Sequence, residues 1–220
     1  ANRNEQAWIK AELHKLPKCQ VIEDAFTGQT PKGPIAMKNI IARFPGASGR
    51  AIVLTGHFDT KLFPGRNFVG ANDGGASAGI LLELARVVAT RSYPDDVYFV
   101  WYDGEEAIGE WSSTDGIHGS RHLASKWTAD GTVGRIKALV NVDMIGDKDL
   151  GIMQVPNSSP QLLRLVWQLA REMGDRQDFL ADGLLPDPLG EALHDVQVYV
   201  GLEERRADLL ESLVDVELRQ

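Results

Sequence analysis

The stretch YFVWYDGEEAIGEWSSTDGIHGSRHLA, from Tyr98 to Ala124, ends an apolar run at two adjacent glutamates, Glu105 and Glu106. Neighbouring acids at a strand end suit a solvated loop, because their repulsion costs little in water. They also suit a divided task, in which one carboxylate holds a metal while the other moves a proton, since those roles need different environments. Two more apolar runs end alike: AIVLTG runs into His57-Phe58-Asp59, and ALVNV into Asp143. A fourth group, Asn72-Asp73-Gly74-Gly75, stands just before the helix-like segment that follows the first of these runs. One imidazole and several carboxylates, without a thiolate, match zinc or another hydrolytic divalent ion. Asp59, two residues after His57, is placed to accept the second ring N–H of a metal-bound histidine. Gly70, Gly74 and Gly75 allow a tight turn around Asp73. Taken singly, each has a plainer role: His57 as a hydrogen-bonded structural histidine, Asp73 as a helix N-cap, Asp143 as a loop acid. Their joint occurrence at strand ends points to a metal site.

The elements that must position these groups follow from periodicity. Residues 4–16 carry Trp8, Ile9, Leu13 and Leu16 at helical spacing and end before Pro17. VIEDAFTG and MKNIIARF are strand-like, and the QTPKGPIA between them predicts a hairpin with a long turn. AIVLTG (51–56), DVYFVWY (96–102) and IKALVNVDMIG (136–146) are short apolar runs of the buried-strand kind. Residues 74–90 predict a helix with Ile80, Leu81, Leu84 and Val88 on its apolar face, and GSRHLASKW a shorter one. GIMQV is a further strand candidate. Residues 159–174 predict an amphipathic helix capped by Ser159, with Pro160 in its first turn and Gly174 at its end. Strands alternating with helices predict an α/β three-layer sandwich around a mixed, largely parallel central sheet, formed by a single domain over residues 1–220. In such open sheets sites collect at the carboxyl ends of the strands.

Composition narrows the function classes. The 220 residues are 43% hydrophobic and 25% charged, ordinary for a globular domain. The net charge of −8 argues against a nucleic-acid partner, which needs a basic face. No apolar run approaches the roughly 18 residues of a membrane span. The one cysteine, Cys19, excludes an internal disulfide and a Cys-rich zinc site. ANRNEQ shows no basic or apolar leader region, a trace that a cleaved signal would also leave. The compartment therefore stays open, a secreted or periplasmic one included, and so does the oligomeric state.

With these residues in place, the chain resembles a known family. HFDTK, FVGANDGGASAGILLELAR, YDGEEA and NVDMIG are similar to the blocks of the zinc aminopeptidases with the bacterial leucyl aminopeptidase fold. More narrowly they resemble its glutaminyl cyclase branch, with Trp111-Ser112, Asp115 and the run Gly119 to Ala124 in the expected order, and FTGQTPKGPIAMKNII as a cyclase-like lead-in. The resemblance covers about residues 5–150. It implies a zinc-exopeptidase-like fold, zinc as cofactor, and peptide or protein N-termini as substrates. It implies Asp73 and Glu106 as zinc ligands and Glu105 as the proton-transfer acid/base. In dizinc aminopeptidases His57 and Asp143 would bind a second metal with Asp73 bridging; in the cyclases Asp143 would instead orient substrate and Trp111 would line the pocket. His122 is expected to pack, His14 to be structural, and His118 to stand either at the pocket rim or in a plain loop.

The resemblance fades after Gly174. The family supplies a further ligand histidine in a Trp-His-Thr segment, preceded by an Asp-Asp-His segment and a last buried strand; residues 175–220 carry none of these motifs. His194, followed by the strand-like VQVYV, is the one late candidate for the missing ligand. The expectation is that this tail does not rebuild the ligand, leaves a sheet edge for the acidic segment at 203–217 or a second subunit to cover, and limits activity. Three functions follow: a glutaminyl-peptide cyclotransferase-like enzyme, a zinc aminopeptidase, or a catalytically impaired binding or scaffold homologue.

Overall fold

A computed structural model describes residues 2–154, 158–174, 179, 196–197 and 199–202. Helix α1 spans Asn2–Leu13 and is followed by a hairpin of β1 (Gln20–Thr30) and β2 (Gly33–Phe44). Then come β3 (Ala51–His57), α2 (Gly75–Ala89), β4 (Asp96–Tyr102), α3 (His118–Ala129), a 3-10 turn (Thr132–Arg135) and β5 (Ile136–Asn141). The described part closes with β6 (Ile152–Met153), α4 (Pro160–Met173), β7 (Val196–Gln197) and β8 (Tyr199–Leu202). Six strands form one sheet in the order β1-β2-β4-β3-β5-β8, and β6 pairs with β7 separately. The parallel part is central: β3 runs parallel to both β4 and β5, while the β1–β2, β2–β4 and β5–β8 pairs are antiparallel.

Alternation along β4 makes the two faces of the core. Val97, Phe99 and Trp101 pack with Ile9 and Leu13 of α1 and Ala78, Leu81, Leu82 and Ala85 of α2. Tyr98, Val100 and Tyr102 face the other way and pack with Leu123 and Trp127 of α3. Such a period-two split requires a strand covered on both sides, which is why DVYFVWY reads as one continuous apolar run. Trp101 fixes α2 further, donating its Nε1–H to the Ala78 carbonyl at 3.1 Å. Leu163 and Trp167 of α4 form a smaller cluster with Ile152, against which Val140 and Phe179 pack.

Several sequence expectations need correction. The QTPKGPIA segment is strand rather than a long turn: pairing continues to Thr30↔Gly33 and leaves two residues at the tip. Gly33 takes a positive φ there, and Pro34 lies where β2 projects beyond β4, whose pairing with β2 begins at Ile40. The missing N–H of Pro34 therefore interrupts no central ladder. In α2 the buried face is Ser77, Ala78, Leu81, Leu82, Ala85 and Ala89, while Ile80 is exposed; small residues allow α2 close to the sheet. Ser159 precedes α4 without a side-chain cap, although Pro160 opens the helix and Gly174 ends it in the left-handed region. β8 pairs with β5 from Ala138↔Leu202 to Asn141↔Tyr199, so this chain itself supplies the strand on that edge.

Candidate metal centre

Because β4, β3 and β5 run parallel, with His57 paired to Tyr102 and Thr55 to Asn141, their carboxyl ends fall along one edge. Each strand then delivers its polar residues to one place. His57, buried at 2% exposure, is the last residue of β3. Its Nε2 lies 3.1 Å from Asp73 Oδ1 and 3.1 Å from Asp143 Oδ1. Candidate ligand atoms of His57, Asp73 and Asp143 all lie within 4.8 Å of one another, the spacing of groups that can share one cation. Burial opposes charge on the His57 ring, but the carboxylates of Asp143, Asp59 and Asp73 and the charge of Glu105 outweigh it and hold the pKa well above its ordinary value. An imidazole facing this many acids calls for a positive charge, carried either by a ring proton or by a metal ion.

Glycines make the approach feasible. Gly74 takes φ +89°, and a Cβ there would meet the Asp59 carbonyl at 2.7 Å and His57 Cε1 at 3.2 Å. The chain can thus carry Asp73 past the imidazole only with glycine at 74. Gly74, not Asp73, is the N-cap residue of α2. Gly70 likewise has a positive φ, and its carbonyl accepts the Gly75 N–H at 2.9 Å.

Asp59 does something other than the sequence suggested. Its Oδ1 is 3.7 Å from His57 Nδ1, too far for a hydrogen bond, and Nδ1 finds no hydrogen-bond partner among the described residues. Its carboxylate instead accepts two backbone bonds, Oδ1 from Glu105 N–H and Oδ2 from Glu106 N–H, each at 3.0 Å. The strand end of β3 thereby holds the glutamate pair that follows β4. The same turn is tied to α3, where Ile117 N–H and His118 N–H reach the carbonyls of Glu105 and Gly104 at 2.6 and 2.8 Å.

The two glutamates occupy different surroundings. Glu105 Oε2 stands 3.8 Å from His57 Nδ1. Glu106 is buried and lies outside the His57–Asp73–Asp143 group. Burial, and next the charge of Asp73, push its pKa up to about 8, with His57 and Lys61 pulling the other way. Lys61 Nζ donates to the carbonyls of Ala107 and Gly109 at 2.8 and 3.3 Å, sits 3.9 Å from Glu106 Oε2, and lies 5.7 Å from the Trp111 ring centre. Trp111 is partly exposed and packs across Gly116, where a Cβ would collide with its ring.

The remaining histidines separate from the site. His118 is buried at the start of α3, with Nε2 3.4 Å from Asp115 Oδ1, so it stands neither at a rim nor in a loop. His122 stacks on Phe26 and approaches Asp24, and His14 bonds back to the Lys10 carbonyl. Cys19 is half-buried, and burial raises its pKa to about 11, which keeps the thiol protonated and inert. His194 lies outside the described residues.

Sequence reading missed three supports. Lys61 sits inside the HFDTK block, but only the fold shows its head between Glu106 and Trp111. Asn39, fully buried on β2, accepts the Asp103 N–H at 3.0 Å and so fixes the start of the DGEE turn. Gln6 of α1 donates to Asp103 Oδ2 at 3.2 Å. Nothing in the spacing of Asn39 or Gln6 signals these roles.

A three-layer α/β sandwich whose parallel strand ends gather an imidazole and carboxylates is the architecture of a zinc-exopeptidase-like protein. Residues 39–186 match Peptidase family M28, and the chain belongs to that family. It is 39% identical over 123 residues to the glutaminyl-peptide cyclotransferase of Drosophila melanogaster, a match covering 54% of this chain and 35% of that protein. The Bos taurus glutaminyl-peptide cyclotransferase is also 39% identical, over 132 residues, with 54% and 37% covered. The chain thus spans little more than a third of these curated relatives. Among solved structures, an Acidobacteriales bacterium glutaminyl cyclase superposes with TM-score 0.74 at 40% identity, covering 80% of this chain and 61% of that one. A leucine aminopeptidase precursor from Bacteroides thetaiotaomicron shares the fold, with TM-score 0.73 at 19% identity over 96% of this chain and 73% of its own.

The donor set fits a divalent metal ion, the cofactor that the family suggests. His57, Asp73 and Asp143 offer one imidazole nitrogen, which a bound ion would keep unprotonated, and two hard oxygens, a combination suited to a divalent ion such as zinc. A divalent ion among them would also offset the crowding of negative charge around Glu106 and Asp73.

Proposed function

We propose that the chain carries the catalytic centre of a zinc-dependent glutaminyl-peptide cyclotransferase-like enzyme, converting N-terminal glutamine to pyroglutamate with release of ammonia. The convergence of His57, Asp73 and Asp143, with Glu105 and Glu106 beside them, at the edge formed by β3, β4 and β5 supports a metal centre, and the 39–40% identity to glutaminyl-peptide cyclotransferases and a glutaminyl cyclase is what favours cyclisation at it. His57, Asp73 and Asp143 would hold the metal, with Glu106 adjacent. Bound there, zinc would supply Lewis-acid polarisation of the substrate's γ-carboxamide carbonyl.

The chain's own residues account for the rest. Glu105 takes a proton from the α-amine as that nitrogen attacks the γ-carbonyl carbon and the ring C–N bond forms. It then gives the proton to the carboxamide nitrogen, whose C–N bond breaks, and ammonia leaves. The reaction is intramolecular, so holding one substrate conformer contributes much of the acceleration. Asp59 holds the backbone of Glu105 and Glu106 in place for this transfer. Trp111, half-open beside Lys61, forms a wall of the pocket for the substrate's first residue.

A second reading has one observation in its favour. The group that can share a cation is His57, Asp73 and Asp143, rather than Asp73 with Glu106, and the aminopeptidase resemblance assigns that group to a metal. Under that reading Glu105 would take its proton from water, and the product would be a free N-terminal amino acid. A side-by-side assay of a Gln-initiated and a Leu-initiated peptide with zinc-loaded protein separates the two. Ammonia release from the first, exceeding leucine release from the second, supports cyclisation. The opposite order supports hydrolysis.

A further inference from the structure

Between β3 and α2 the chain leaves the site at Thr60 and returns at Gly70, and the two feet touch: a Cβ on Gly70 would lie 2.9 Å from Thr60 Cγ2. The tip turns through Phe63-Pro64-Gly65-Arg66, closed by Arg66 N–H to the Phe63 carbonyl at 3.1 Å. Proline second and a positive-φ glycine third are the residues of a type II turn. What this loop displays is unusual for solvent. Leu62, Phe63, Phe68 and Val69 are 62, 42, 44 and 78% exposed, and the two phenylalanine rings meet edge-to-face at 5.0 Å. Single exposed apolar residues are ordinary, but four within eight positions form a patch.

The patch is attached to the candidate site at both ends. Leu62 follows Lys61, whose ammonium lies against Glu106 and over Trp111; Val69 precedes Gly70, three residues before Asp73. We propose that loop 61–70 is the subsite for the residues of a peptide substrate that directly follow its N-terminal residue, and that it selects apolar side chains there. The proposal rests on the reading of this centre as one that acts on peptide N-termini. A peptide whose first residue reaches Asp73 and Glu105 beside Trp111 has its next residues at the feet of this loop. The cation nearest the site, Lys61, is already bonded to Ala107 and Gly109, so it does not favour an acidic second residue. Arg66 and Asn67 stand at the tip of the loop, and the exposed side chains that flank its feet in sequence, Leu62, Phe63, Phe68 and Val69, are apolar.

Calorimetric titration of the zinc-loaded protein with Gln-Phe-Ala-amide and Gln-Ser-Ala-amide tests this. The Phe peptide should bind about 5–10-fold more tightly, the worth of partly burying one large apolar side chain. In Phe63→Ser/Phe68→Ser the two affinities should come within about twofold of each other, with the Ser peptide unchanged from wild type. Leu62→Ser/Val69→Ser, at the more exposed positions, serves as a second variant should the first not fold, and should also narrow the preference. Equal affinities in wild type, binding of neither peptide, or a preference surviving in a folded variant would overturn the subsite. Ammonia measured in the same samples reports on cyclisation alone. An apolar preference without ammonia leaves the subsite standing and removes the cyclase reading.

Discussion

Asp59 binds Glu106 through its backbone: Asp59 Oδ2 accepts the Glu106 N–H at 3.0 Å, while Oδ1 of the same carboxylate accepts from Glu105. A residue at the end of one strand therefore sets the geometry of the glutamate pair at the end of the next. Asp59→Ala leaves two amide donors without their acceptor, one of them in a buried residue. It should destabilise the protein by about 1.5–3 kcal/mol, the range for hydrogen bonds to a charged group. Urea denaturation measures the loss, and a stability equal to wild type would show that the turn holds itself.

Gly74→Ala should be among the most damaging small changes in the chain. The residue has φ +89°, and the added methyl would lie 2.7 Å from the Asp59 carbonyl and 3.2 Å from the His57 ring. The backbone strain alone costs about 1–3 kcal/mol. The expected outcome is a lower thermal midpoint together with weaker zinc binding, because the turn that carries Asp73 must shift. Unchanged zinc affinity in a folded Gly74→Ala would show that Asp73 does not depend on this turn.

Glu105→Gln separates proton transfer from metal holding. The substitution keeps size and backbone bonding, so bound zinc should stay at the wild-type level. The rate should fall on the order of 10²–10⁴-fold, as for loss of a general acid/base. Turnover and metal content measured on one preparation give both numbers. Loss of zinc in step with activity would instead make Glu105 a ligand.

The opposite end of β4 carries a pH-dependent contribution to stability. Asp96 is buried and accepts the Gly46 N–H at 2.7 Å, Arg43 Nη2 at 2.8 Å and Arg135 Nη2 at 2.8 Å. Burial opposes its charge, but these partners prevail and hold its pKa below the usual carboxylate value. A lowered folded pKa means stability that is full above the unfolded value of about 3.9 and is lost as pH falls through the folded pKa. Asp96→Asn should cost about 3 kcal/mol near neutral pH, as for breaking a buried pair. The gap from wild type should stay constant above about pH 5 and shrink below about pH 4. A gap that does not change with pH would contradict the ion-pair account.

The sequence was most legible where one signal sufficed. DVYFVWY is strand β4 to the residue, since a strand buried on both faces leaves an uninterrupted apolar run. Reading three such strands as parallel neighbours brought His57, the Glu105–Glu106 pair and Asp143 to one edge, with Asp73 beside them, but it did not tell which would group: the resemblance implied Asp73 with Glu106, whereas His57, Asp73 and Asp143 lie together. Local signals misled where the fold overrode them. Pro34 looked like a turn residue, but it lies in strand beyond the edge of β4. Ile80 looked like core, but α2 turns Ala78 and Ala85 inward to come close to the sheet. His118 looked like a loop residue, and its partner Asp115 draws it inside. The ties from Asp59, Asn39 and Lys61 to the DGEE turn join residues far apart in sequence, which no periodicity reports.

The central claim is that His57, Asp73 and Asp143 form one metal seat. Its most direct test is elemental analysis of zinc in wild-type protein and in Asp73→Ala and Asp143→Ala, with circular dichroism to confirm folding. The account predicts bound zinc in the wild type and its loss in both folded variants, since each removes a ligand from a three-residue group. Zinc retained at the wild-type level in either folded variant would contradict it.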